Sequence, residues 1–471
     1  MLSTLPLGLA ALATLVVASP SPSTESIQHV ALKRQSQPRR TPEEFASWAK
    51  LHRDMLRTKY LGTSSSQKRA EGTNLLVNQN LDSSFFGSLA IGTPPVAFNV
   101  ILDTGSSDLW LADNDCITGC TDVPTLDTSS SSTFVNQSET FSIQYGSGRA
   151  QGSLGQDVVQ MAGFSVPNQV FGVCDRVSAN LLNSPVSGLL GLGWESIASS
   201  KAKPFWQTLV SNGAWDQPVM AFQLTRFIND TSADVLAPGG TFTMGAVNSS
   251  LYTGDIDYVN IPSGKESYWL IPLETLTVQG NTVSIPTGDS SYAAIDTGTT
   301  LVGGTSDAIA NIFAQIPDSS PATGNLDGYW TYPCDTSVNV TMNFGGRTWA
   351  ISPADFILQR SVDGERCVGA FFEIGTTTGT SSLSWIVGDT FLKNVYSVFR
   401  YDPPSVGFAE LSAAALAQNG VNGLVPDPTI GSVAATVSAT GGLRSERNGS
   451  GRVAVSWWTS LAATAGLIMA W

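Results

Sequence analysis

The chain has 471 residues, 24 Lys+Arg against 38 Asp+Glu, a formal net charge of −14 and two histidines. That length leaves room for two or three domains and a sizeable core. A composition that is 42% hydrophobic and 13% charged, with 45 Gly and 24 Pro, is rich in turns and short of the Glu, Lys and Arg that fill exposed helix faces, which points to a mostly β globular protein. The bulk of the chain has no stripe of clustered Lys and Arg, which argues against nucleic acid as a partner. His29 and His52 both lie near the N-terminus, and the 419 residues from Arg53 to Trp471 contain none. If the N-terminal part is removed, Ser-His-Asp chemistry, Cys-His chemistry and His-ligated metals go with it.

Residues Leu2 to Val17 are apolar and rich in small side chains, and Val16-Val17-Ala18 before Ser19-Pro20 is an acceptable signal-peptidase site, although no Lys or Arg precedes the apolar run. Residues 1–18 therefore read as a signal peptide for secretion. Thr41-Pro42-Glu43-Glu44 spells an N-cap, a first-turn proline and a capping-box Glu; Phe45, Trp48, His52, Met55 and Leu56 follow at helical spacing, predicting an amphipathic helix to about Tyr60. Lys68-Arg69 suggests cleavage before Ala70, with Lys33-Arg34 and Arg39-Arg40 as competing sites. Residues 1–69 carry ten Lys+Arg and four Asp+Glu, a balance of +6, so the remainder carries −20. A basic propeptide over 19–69 would dock on such an acidic body near neutrality and leave it when acid protonates the carboxylates.

The body contains one motif twice. Phe98-Asn99-Val100-Ile101-Leu102-Asp103-Thr104-Gly105-Ser106-Ser107 returns 193 residues later as Ala293-Ala294-Ile295-Asp296-Thr297-Gly298-Thr299-Thr300. Each copy is an apolar, β-prone run ending in Asp-Thr-Gly and a hydroxyl residue. Leu189-Leu190-Gly191 follows the first aspartate by 88 residues and Ile386-Val387-Gly388 follows the second by 92, so two lobes of similar construction are expected. In each copy a strand delivers the carboxylate, Thr and Gly turn the backbone so that its N–H groups reach a carboxylate oxygen, and Ser106 or Thr299 can donate a further bond. If a pseudo-dyad brings Asp103 and Asp296 together, like-charge repulsion keeps both from ionising, and one carboxylate can act as base on a water while the other acts as acid.

With these duplicated motifs the sequence resembles the pepsin-like aspartic proteases, from about Leu75 to Leu411. Phe85-Phe86-Gly87 and Ile91-Gly92-Thr93-Pro94 are similar to the family's opening strands, and Trp385 to Asp389 through Val406-Gly407-Phe408-Ala409 to its closing ones. The resemblance implies an all-β, bilobal fold with the active-site cleft between two pseudo-symmetric lobes, no cofactor, no metal, polypeptide substrates and a monomer. It implies catalytic roles for Asp103 and Asp296, supported by Thr104, Gly105, Ser106, Thr297, Gly298 and Thr299. Tyr145-Gly146-Ser147-Gly148, 42 residues after Asp103, resembles the hairpin that closes over bound peptide, with Tyr145 bonded to Trp110, seven residues after Asp103. Lys59-Tyr60 stands where the family's propeptide places an inhibitory lysine. Apolar side chains around the scissile bond are implied, while Asp113 and Asp115 leave room for a basic preference.

The expected divisions are an N-terminal lobe over 70–222, a C-terminal lobe over 223–412, a low-complexity stalk over 413–447 and a hydrophobic attachment signal over 448–471. The resemblance pairs Cys116 with Cys120 and Cys334 with Cys367 and leaves Cys174 as a buried thiol. Sequons at Asn136, Asn229, Asn248, Asn339 and Asn448 fit a glycosylated surface. Val453 to Trp471 is a 19-residue apolar terminus behind a polar spacer, which matches a GPI-attachment signal with Ser438, Gly441 and Asn448 as candidate sites; a terminal membrane helix is the alternative. The reading is a secreted or surface-attached aspartic endopeptidase made as a zymogen and active in acid. The competing readings are a catalytically silent peptide-binding or inhibitor protein of the same fold, and a glycosidase using two carboxylates.

Overall fold

A computed structural model describes residues 71–228, 230, 232–375, 383–431 and 435–436. The expected signal peptide and propeptide, with Lys68 and Arg69, lie outside the described residues, as do Asn229, Ser438, Gly441, Asn448 and the apolar terminus. Among the described residues no helix is long and apolar enough to cross a membrane.

The chain is built mainly of strands. In order, the first half holds β1 (Gly72–Gln79), β2 (Ser84–Ile91), β3 (Val96–Asp103), β4 (Leu109–Ala112), β5 (Val135–Tyr145), β6 (Gly148–Met161), β7 (Phe164–Val177) and β8 (Val186–Gly191). β9 (Val219–Leu224), β10 (Leu236–Met244) and β11 (Tyr252–Asn260) follow. The alternation written into Phe98, Val100 and Leu102 buries one side of β3, as expected of a sheet packed on a core. A fourteen-stranded sheet, counted among the described residues, runs from β11 through the late strands Ser405–Leu411 and Val395–Arg400 to β9, β10 and β1, then on to β5. Early and late strands of the chain thus share one sheet. β9 pairs Val395–Arg400 on one side and β10 on the other, and β10 pairs β1. The boundary expected after residue 222 falls inside β9.

The repeated motif has a repeated topology. β3 lies parallel to β8, β8 antiparallel to β4, and β4 parallel to β7. In the second copy the strand Tyr292–Ile295 lies parallel to Trp385–Val387, which is antiparallel to Val302–Gly304, itself parallel to Phe371–Glu373. The glycines that close the apolar-apolar-Gly elements serve close approach. A Cβ at Gly191 would collide with the backbone of Ser107 and Asp108, and one at Gly388 with the carbonyl of Thr299.

Trp194, Trp206, Trp269 and Tyr401 pack ring against ring, with Trp194 and Trp269 centroids 5.1 Å apart, in a core that joins first-half and second-half residues. Disulfides link Cys116 to Cys120 and Cys334 to Cys367. Cys174 is a buried free thiol that burial pushes well above its usual range, so it stays un-ionised.

The tail differs from its composition. Residues 413–431, which low complexity assigns to a stalk, are docked on the body. Ser412 Oγ caps the short helix Ala413–Leu416 by accepting from Ala415 N at 3.1 Å, Ala415 is buried, and the extended chain beyond bonds to early strands. A segment with few large side chains can still be held through its backbone and hydroxyl groups.

Candidate active site

Each aspartate stands at the end of a buried strand and is held by its own turn. Gly105 N donates to Asp103 Oδ1 at 2.7 Å and Ser106 Oγ to Asp103 Oδ2 at 2.5 Å. Gly298 N donates to Asp296 Oδ1 at 2.8 Å and Thr299 Oγ1 to Asp296 Oδ2 at 2.7 Å. The two turns are cross-linked through their threonines. Thr104 N donates to Thr297 Oγ1 at 3.1 Å and Thr297 N to Thr104 Oγ1 at 2.9 Å. Thr104 Oγ1 donates to Ile295 O at 2.8 Å, and Thr297 Oγ1 to Leu102 O at 2.6 Å. Both threonines are buried, so this exchange satisfies groups that have no access to water.

The exchange sets the carboxylates face to face. A Cβ on Gly105 would sit 2.5 Å from Asp296 Oδ2, and one on Gly298 would collide with Asp103 Oδ1. The glycines are needed for space and not for an unusual backbone angle. Burial and the charge of Asp296 push the Asp103 carboxyl well above the usual carboxylate range; the bonds from Ser106 and Gly105 oppose this in part.

Beside the pair stands the hairpin of β5 and β6, whose Tyr145 and Gly148 are paired across the exposed tip Gly146-Ser147. Tyr145 OH accepts from Trp110 Nε1 at 2.7 Å, and the rings lie 6.4 Å apart. Burial and the charge of Asp103 push the Tyr145 phenol well above its usual value, so it remains a neutral hydrogen-bonding group. Tyr268 is likewise pushed up, by burial and by the charges of Asp296 and Asp103. Of the sequons, Asn136 and Asn339 are exposed and Asn248 is half-buried, its Oδ1 accepting from Ser250 N at 3.1 Å.

Sequence reading missed a buried ion network. Lys393 Nζ meets Asp82 Oδ2 at 2.8 Å and Asp355 Oδ1 at 3.0 Å, and Arg226 Nη2 reaches Asp355 Oδ2 at 2.6 Å. Burial works against the Lys393 charge, yet Asp355 and Asp82 hold it above its usual value; burial likewise opposes the Asp355 charge, yet Lys393 and Arg226 hold it below. Asp389 adjoins this group and is 2% exposed; burial pushes its carboxyl well above the usual range, an effect only partly offset by Lys393. Its place directly after Ile386-Val387-Gly388 was the available signal. The other members are scattered along the chain and no spacing links them.

The chain is similar to known proteins of one family. The eukaryotic aspartyl protease family model matches residues 84–411. Major aspartyl peptidase 1 of Cryptococcus neoformans var. grubii is 46% identical over 355 residues, covering 74% of this chain and 72% of the relative. Pepsin A of Sus scrofa is 35% identical over 337 residues, covering 70% of this chain and 82% of the relative. An aspartic protease of Phaffia rhodozyma is 32% identical over 349 residues, with 73% and 80% covered.

Proposed function

Because the chain belongs to the eukaryotic aspartyl protease family and is an aspartic-type endopeptidase, we propose that Asp103 and Asp296 hydrolyse peptide bonds together through one activated water, in acid. The observation that supports this reading is the reciprocal bonding of Thr104 and Thr297, which joins the two aspartate turns; like charges so joined favour a single shared proton. We assign that proton to Asp103 and the role of base to Asp296, while the titration itself belongs to the pair.

Asp296 takes a proton from the water as its oxygen attacks the scissile carbonyl carbon, while Asp103 donates its proton to the carbonyl oxygen. A tetrahedral gem-diol results and the pair's single proton has changed sides. Collapse breaks the C–N bond as Asp296 gives its proton to the departing nitrogen and Asp103 takes one back from a gem-diol hydroxyl, giving a carboxylic acid and an amine and restoring the pair. No residue is covalently modified. The hairpin tip at Gly146-Ser147 closes over the extended peptide, and Tyr145, held by Trp110, presents a polar edge while its ring excludes water.

The protein is made with a signal peptide and a basic propeptide, is cut before Ala70, and stays at the cell surface through a GPI anchor; the +6 balance of residues 1–69 and the apolar terminus support this reading. It acts as a monomer, and glycans at the exposed Asn136 and Asn339 are compatible with secretion. The test is hydrolysis of denatured protein between pH 3 and 7 by wild type, Asp103→Asn and Asp296→Asn. Wild-type cleavage absent from both variants is expected; cleavage retained by either variant would overturn the paired mechanism. N-terminal sequencing of the secreted product should begin at Ala70, and phosphatidylinositol-specific phospholipase C should release the protein from cells.

A further inference from the structure

The family match ends at residue 411, yet the chain stays ordered on the body well past it. After the helix Ala413–Leu416 it doubles back across the molecule. Arg226 N donates to Asn419 Oδ1 at 2.9 Å and Gly420 N to Arg226 O at 2.9 Å, which fastens the segment to the residue whose guanidinium holds the buried Asp355. Asn422 Nδ2 then donates to Ser232 O at 3.2 Å. Farther on, Ala162 N donates to Thr429 O at 3.1 Å and Gly163 N to Ile430 O at 2.6 Å, and Ala435-Thr436 pairs in parallel with Phe164-Ser165 of β7.

The densest contact is with the start of β1. That strand is paired along its whole length with β10, but with β2 only from Val77 to Gln79. Between Gly72 and Leu76 its other edge has no main-chain ladder with β2, so the backbone groups on that side need other partners. Asn74 spans part of the gap, its Nδ2 donating to Ser88 O at 2.7 Å and its Oδ1 accepting from Ser88 N at 3.0 Å. Thr429 covers the rest: its Oγ1 accepts from Leu75 N at 3.3 Å, its O accepts from Asn74 Nδ2 at 3.2 Å, and its N donates to Ser88 Oγ at 2.7 Å. One residue of the tail thus bonds to both sides of an opening between β1 and β2.

We propose that residues 419–431 are a strap that keeps β1 in the sheet after the chain ahead of it is cut, so that processing does not free the new N-terminal strand. The inference rests on the reading that cleavage falls before Ala70, two residues ahead of β1. Without the strap, β1 would be held along its first turns by β10 and one asparagine, with a free terminus beside it.

The test is hydrogen exchange in the processed full-chain protein, followed in the peptide covering residues 72–79. Two variants are compared with wild type: Thr429→Val, which at nearly constant shape removes the hydroxyl that accepts from Leu75 N and donates to Asp427 O, and replacement of residues 426–431 by Gly and Ser at equal length. Exchange over 72–79 should quicken on the order of tenfold in Thr429→Val and more in the replacement, with the rest of the sheet unchanged. Initial kcat and KM on a short peptide should match wild type, while activity decays faster on incubation. Unchanged exchange over 72–79 in the replacement, or a quickening spread evenly over the sheet, would overturn the proposal. If the replacement does not fold, Thr429→Val decides alone. N-terminal sequencing of the same samples reads the processing site separately; a start far from Ala70 counts against that reading, while the exchange data still decide the strap.

Discussion

Ser106→Ala tests the division of labour within the carboxylate pair. Ser106 Oγ donates to Asp103 Oδ2 at 2.5 Å in a buried setting. A hydrogen bond to a charged group of this kind contributes about 1.5–3 kcal/mol, and at about 1.4 kcal/mol per pKa unit its loss raises the Asp103 pKa by about one to two units. The sign is fixed, because the Ser106 bond favours the ionised form and so lowers a carboxyl that burial and Asp296 push up. If Asp103 is the member that keeps the proton, the alkaline limb of kcat/KM against pH moves up by that amount and the acid limb stays near its place. The assay is cleavage of a chromogenic peptide in half-unit pH steps, with far-UV circular dichroism at each step to show that the protein is folded. Ser106→Thr, which gives the first turn the hydroxyl residue that the second has at Thr299, should keep the wild-type limb. An alkaline limb that does not move, or moves down, in a folded Ser106→Ala protein refutes the assignment.

Tyr145→Phe removes the acceptor for Trp110 Nε1 and leaves the ring; kcat/KM should fall about tenfold with the unfolding midpoint little changed, and equal losses in both would show a purely structural role. Gly105→Ala puts a methyl group 2.5 Å from Asp296 Oδ2, so activity should fall by about a hundredfold or more in a protein that still folds; near-normal turnover would mean that the carboxylates are not held this closely. Asp389 carries a proton in the folded state that the unfolded chain releases near about pH 4, because burial pushes it up. Its contribution to stability is therefore complete below about pH 4 and is lost as pH rises through the folded value. The thermal midpoint of wild type minus that of Asp389→Asn should fall between pH 4 and 7, and a rising difference would contradict the buried, protonated state.

The two aspartate turns were legible because their hydrogen bonds are local and the motif is written twice. Asp103 with Gly105 and Ser106, and Asp296 with Gly298 and Thr299, lie within a few residues of each other, so the turn bonds follow from the spelling. The exchange between Thr104 and Thr297 joins positions 193 apart and could be anticipated only by supposing a dyad. The ion network shows the opposite case: Lys393 and Asp82 are 311 residues apart, and neither stands in a pattern that marks it as buried. A lone charged residue in sequence reads as surface. The tail misled for a related reason, since low complexity reports the lack of large side chains, while Thr429 and the backbone of residues 419–431 are held by polar bonds that composition does not register.

The threonine exchange also limits how the enzyme can accommodate a substrate. Since each threonine bonds to the other turn and to the strand behind the other aspartate, neither carboxylate can shift without straining both sets of bonds. The spacing of the pair is thus one coordinate shared by the two turns. For the same reason a change at Thr104 is felt equally at Asp296, so genetic suppressors of damage in one turn should be sought in the opposite one.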